Sequence, residues 1–123
     1  MLKTLVTSLE LSRQLQEVGC PPETVFVWLE TDGVWSLWEG NPLASDPEQA
    51  ARSCRAYTAE ELLRLLPFEV RRRLYMTVTD ETNRYYLQVT DDDDRDVVAA
   101  SHAPSLADAA GKLYLALKER GRV

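Results

Sequence analysis

Three tryptophans, three consecutive arginines, a run of aspartates, one histidine and two cysteines are the side chains of this 123-residue sequence whose types and spacing could do chemistry. As catalytic parts they do not assemble. The sequence carries no GxxxxGKS/T, GxGxxG, HExxH or GxSxG motif. Its only histidine, His102, precedes Pro104 and a helix cap. A general base there needs a nucleophile and an orienting group, and the sequence places neither beside it. Cys20 and Cys54 fall in no CxxC or Cys/His spacing, so they read as reduced, small apolar side chains. The adjacent carboxylates Glu60/Glu61 and Asp80/Glu81 could act with a water, but such neighbours are common on surfaces. The expectation is a protein that is not an enzyme and that uses no metal and no cofactor.

The remaining clusters suit recognition better. Asp91, Asp92, Asp93 and Asp94, followed by Arg95 and Asp96, invite a Ca²⁺ loop. The sixth position of such a loop must be Gly and the twelfth Glu. Here they are Asp96 and His102, so the match fails. A solvated loop, an acidic patch for a basic partner and adventitious ion binding remain open. Arg71, Arg72 and Arg73 could grip a phosphorylated or acidic ligand, because a guanidinium meets such groups bidentately. With Arg84 and nearby tyrosines, Arg71 and Arg73 make a candidate small-ligand site. On a strand, however, Arg71 and Arg73 point one way and Arg72 the other. Trp28, Trp35 and Trp38 all lie in one short region. They serve either as core and hairpin support or, with Tyr57 and Tyr86, as an exposed aromatic surface for a partner.

Elements must hold these groups in place. Thr7 and Glu10 form a capping box, with Val6 and Leu11 as its hydrophobic staple. Leu11, Leu15 and Val18 then share one helix face, and Gly19-Cys20-Pro21-Pro22 ends it. Thr24–Glu30 and Val34–Glu39 predict a β-hairpin across the three-residue turn Thr31-Asp32-Gly33. That spacing sets Trp28 and Trp35 close to opposite one another. Large apolar groups fall on both faces, so the hairpin is covered twice or offers an interface. Ser45-Asp46-Pro47-Glu48 reads as a short helix start. Thr58 and Glu61 form a second capping box, stapled by Tyr57 and Leu62, before a helix that Pro67 ends. Arg72–Thr79 and Arg84–Thr90 predict a second hairpin with one apolar face. Val97–Ala100 reads as a short edge strand. Ser105 caps a last helix with Leu106, Ala110, Leu113 and Leu117 on one face, closed by Gly121.

The fold class expected is therefore α+β. A mostly antiparallel sheet of two hairpins, four or five strands, is packed by three helices in the order α-ββ-(α)-α-ββ(β)-α. At 14.0 kDa and 45% hydrophobic residues, the length suits one domain over residues 1–123. A net charge of −6 argues against direct nucleic-acid binding, which needs clustered cations. No apolar run approaches the length of a membrane span, and the N-terminus lacks a secretory core, so a cytoplasmic location is expected.

The segments Leu5–Gly19 (LVTSLELSRQLQEVG), Phe26-Val27-Trp28 with Trp35, Ala56–Pro67 (AYTAEELLRLLP) and Ala107–Gly121 (ADAAGKLYLALKERG) together resemble a loose group of small proteins of phages and prophages. These share a TSLELSxxLxExG start, an aromatic strand, a YTxxEL…LP helix and a closing A-D-A…L…L-x-x-G helix. The resemblance spans most of the chain and carries no catalytic residues with it. It implies a small accessory protein of a mobile element. The leading expectation is a binding module that contacts a host protein, with a homodimer as one possible form. The alternative is a protein that binds or sequesters a small, nucleotide-type ligand.

Overall fold

A computed structural model describes residues 5–21, 23–40, 52–79, 84–90 and 96–121, with the backbone alone at 78 and 79. Among them are α1 (Leu9–Glu17), β1 (Phe26–Thr31), β2 (Val34–Glu39), β3 (Ser53–Ala56), α2 (Ala59–Arg64), α3 (Phe68–Arg71), β4 (Leu74–Thr79), β5 (Arg84–Thr90), β6 (Val97–Ala103) and α4 (Leu106–Glu119). The class is α+β, and all named strand pairs are antiparallel. The strands divide into two three-stranded sheets, β2-β1-β3 and β4-β5-β6. The expected helix start at Ser45–Glu48 lies outside the described residues.

The first cap sits one residue later than the sequence suggests. Ser8, not Thr7, accepts the Leu11 amide. Thr7 is drawn instead into the core, where its hydroxyl lies 2.6 Å from that of Ser12 and accepts the Tyr57 amide. A hydroxyl held there cannot cap. Val6 accordingly packs with Trp28, whereas Leu11 joins a different cluster, so the expected staple is absent. The second capping box forms as read: Glu61 N donates to Thr58 Oγ1 and Thr58 N to Glu61 Oε1. The Val25 amide also donates to the Glu61 carboxylate, tying this cap to the approach of β1.

The first hairpin turns in two residues. Thr31 pairs with Val34, and Asp32 and Gly33 both take positive φ, at 53° and 81°. That is the geometry of a type I′ turn, which suits Asp-Gly and the natural twist of the strands. β3, unread in the sequence, adds to the other side of β1 through Trp28↔Cys54 and Phe26↔Ala56. The central strand β1 therefore buries Val27 and Leu29 on one face and Trp28 on the other.

The main core joins α1, α2 and α4 to the inner face of the second sheet, through Leu15, Leu62, Leu87, Val89, Leu113 and Leu117 among others. α4 is capped by Ser105 as expected. Asp108 in its first turn also accepts the Ser8 amide and so links two helix N-termini. After Pro67 the chain makes the short α3, so the strand begins at Leu74 rather than Arg72. β6 runs to Ala103, three residues beyond the expected strand, and so carries His102.

Candidate functional site

The structure separates the aromatic residues that the sequence had grouped. Trp28 is 7% exposed, and its indole Nε1 donates to the buried carbonyl of Thr7 at 3.1 Å. Tyr57 is 1% exposed; its hydroxyl donates to the Cys20 carbonyl, and burial raises the phenol far above its ordinary range. Neither can touch a partner without unfolding the core, so both leave the list of contact candidates. With the shorter turn, Trp28 faces Leu37 and Trp35 faces Glu30. The two indoles are diagonal neighbours on one face, not an opposed pair. Trp35 is half-buried under the Arg13 guanidinium. Trp38 lies on the other face beside Val27, 49% exposed, and donates to Ser36 Oγ.

The arginine site also comes apart. Arg71 ends α3 and Arg72 is its C-cap, so strand alternation does not apply to them. Arg72 and Arg73 both pair with Glu69. Arg84 pairs across from Thr79, at the far end of the hairpin from Leu74. Five strand steps separate those ends, ~17 Å. Arg71, Arg73 and Arg84 therefore do not converge on one small ligand. Asp91, Asp92, Asp93 and Asp94 lie outside the described residues.

A different surface gathers what is left. α4 covers one face of β4-β5-β6, and the residues that alternate with the core side chains stand on the other. They are Tyr75 and Thr77 on β4, Arg84, Tyr86 and Gln88 on β5, and Ala100 and His102 on β6. Tyr75 is 48% and Tyr86 40% exposed. The cross-strand pair Tyr86↔His102 brings their rings to 5.4 Å between centres, tilted by 30°. Arg84 Nη2 lies 2.9 Å from His102 Nδ1. A guanidinium has donors only, so Nδ1 is the acceptor in this contact. Lys112 reaches round from α4 to the His102 carbonyl at 3.3 Å. A shallow hollow of about 210 Å³ opens between Tyr75, Thr77, Tyr86, Gln88, Ala100 and His102.

Strand pairing and the Arg84–His102 bond set these side chains side by side on one face of the sheet. Among the described residues, no hydroxyl or thiol hydrogen-bonds to a His102 ring nitrogen. The carboxylate pair Glu60/Glu61 is otherwise engaged, Glu60 by Arg64 and Glu61 by the cap. Asp80/Glu81 lie outside the described residues. Both cysteines are free and buried. Loss of solvent raises the Cys54 thiol to about 11 and moves Cys20 upward too, which suppresses thiolate formation. No group of three or more His, Cys, Asp or Glu suited to a metal occurs among the described residues. None of their helices is long and apolar enough to cross a membrane.

The sequence underrated His102 because VVAASHA is rich in Ala and Ser, which are weak strand formers. Its alternation was the available signal: Ala99, Ser101 and Ala103 turn inward while Ala100 and His102 turn out. No family model matches the chain, and neither a curated protein nor a solved structure matches it.

Proposed function

We propose that the chain is a non-enzymatic binding module that acts by protein–protein contact, through the outer face of β4-β5-β6. The observation that carries this reading is the exposed Tyr75 beside the Tyr86–His102–Arg84 cluster on one sheet face. Tyr and Arg are enriched among the residues that dominate interface energies. The chain has net charge −6, yet among the described residues this face holds Arg84 and His102 and no carboxylate. A partner segment that presents carboxylates complements it. A second copy of the chain fits less well, because a two-fold contact must be complementary to itself and the two copies repel. The resemblance to small phage and prophage proteins points to a host protein as that partner.

The test compares tagged wild type with Tyr75→Ser/Tyr86→Ser and with Trp38→Ser, in pull-downs at low and high salt. Capture of one dominant protein that the double tyrosine variant loses and Trp38→Ser keeps is the expected result. Arg84→Gln weakens the same capture, most visibly at low salt. Capture that survives the tyrosine changes defeats the assignment of this face. A dimer of the wild type that the tyrosine variant dissociates replaces the heterologous partner with self-association.

A further inference from the structure

A second surface lies apart from that sheet face, between α1 and the first sheet. There a groove of about 480 Å³ opens at the side of β1 and β3, within the range of about 300–1,000 Å³ typical of small-molecule sites. The groove is lined by Arg13, Glu17, Glu30, Trp35 and Arg52, with Cys54 beneath. The Arg13 guanidinium carbon sits 4.9 Å from the centre of the Trp35 ring. A guanidinium over an aromatic face is held there by attraction to the ring's electron-rich face. Among the described residues, neither Arg13 nor Arg52 makes an ion pair, and neither Glu17 nor Glu30 does. Four charged groups thus surround one hollow with their charges unmatched by each other.

We propose that this groove binds a nucleoside monophosphate. Arg13 and Arg52 supply the bidentate donors that a phosphate takes best. Glu17 and Glu30 would repel a bare anion at their end but accept hydrogen bonds from hydroxyl and amino groups, which ribose and base carry. The uncovered part of Trp35 offers an aromatic surface for the base. The mixed lining therefore selects a ligand with an anionic end and a donor-rich planar end over phosphate or nucleoside alone. This proposal is independent of the tyrosine face and uses none of its residues.

The experiment titrates the full chain with AMP, GMP, CMP and UMP, and separately with adenosine and inorganic phosphate. Tryptophan fluorescence and the melting temperature report binding, since a ligand held only by the native state raises its stability. At least one monophosphate raises the melting temperature by a few degrees. Adenosine and phosphate each bind about tenfold more weakly or worse. Arg13→Gln and Arg52→Gln, both exposed positions, each weaken the monophosphate about tenfold while the free protein melts as before. Trp35→Leu removes the fluorescence response. Tyr75→Ser/Tyr86→Ser leaves binding intact. No shift with any of the four monophosphates overturns the proposal. So does binding that Arg13→Gln and Arg52→Gln leave unchanged, or phosphate that binds as tightly as the nucleotide.

Discussion

Trp28 and Tyr86 hold equivalent places, each on the central strand of a three-stranded antiparallel sheet. One is 7% exposed and the other 40%. The difference lies in what stands over each face. The segment Val6-Thr7 and the start of α1 cover Trp28, and a backbone carbonyl takes its indole proton. Over the second sheet, α4 covers the face opposite Tyr86 and packs on Leu87 and Val89. An aromatic on a strand is buried into the fold where another element closes over it and stays exposed where none does. Trp28, chemically the more conspicuous, is thus the structural one, and the plainer Tyr86 lies on the surface.

Substitutions sharpen this contrast, from the largest effect downward. Trp28→Ala empties a core site and removes one of the two hydrogen bonds to the Thr7 carbonyl, and should cost about 3–5 kcal/mol in urea unfolding. A loss under 1 kcal/mol would place Trp28 outside the core. High pH gives the next effect. The Cys54 proton leaves the unfolded chain near 9.0 and the folded chain near about 11. Between those values the folded state binds more protons, so stability falls as pH rises. The full drop approaches ~2–3 kcal/mol, at about 1.4 kcal/mol per unit. Below pH 9 this contribution is constant. Cys54→Ala should flatten part of that alkaline slope in melts taken from pH 8 to 11.

Thr7→Val keeps the shape but removes the hydroxyl that meets Ser12 and the Tyr57 amide. Ser12 Oγ keeps its bond to the Thr7 carbonyl, but the buried Tyr57 amide loses its acceptor, which should cost about 1–3 kcal/mol. Thr58→Ala removes one half of the α2 capping box, for about 0.5–2 kcal/mol. At the far end of the scale, Tyr75→Ser/Tyr86→Ser should change stability by only about 0.5 kcal/mol per site, as exposed positions do. A cooperative melt that the double change abolishes would erase the distinction between the two sheets.

Much of the local structure is legible in the residues. The Thr58/Glu61 box, the Ser105 cap and the alternation of β5 depend on neighbours a few positions apart, and each formed where the pattern stands, whereas the first hairpin turns on Asp32-Gly33 alone and not on the three residues Thr31-Asp32-Gly33. The slip from Thr7 to Ser8 has a long-range cause. Ser-Leu-Glu and Thr-Ser-Leu-Glu offer two adjacent caps, and the buried contact with Tyr57, fifty positions away in the sequence, settles which hydroxyl is free for the job. β3 was unreadable for a similar reason. SCRA has no strand signature alone and becomes a strand by pairing with β1.

Composition and periodicity determined the α+β class, the antiparallel hairpins, the Thr58 and Ser105 caps and the lack of a recognisable catalytic motif, because these follow from side-chain chemistry over short stretches. Tertiary packing decided which aromatics were buried, that the strands parted into two sheets, that Arg84 meets His102 rather than Arg71 and Arg73, and that Arg13 lies over Trp35. Those outcomes depend on which element closes over which face. That choice is made by contacts between residues distant in sequence, whose apolar and aromatic patterns fit either side of a strand equally well.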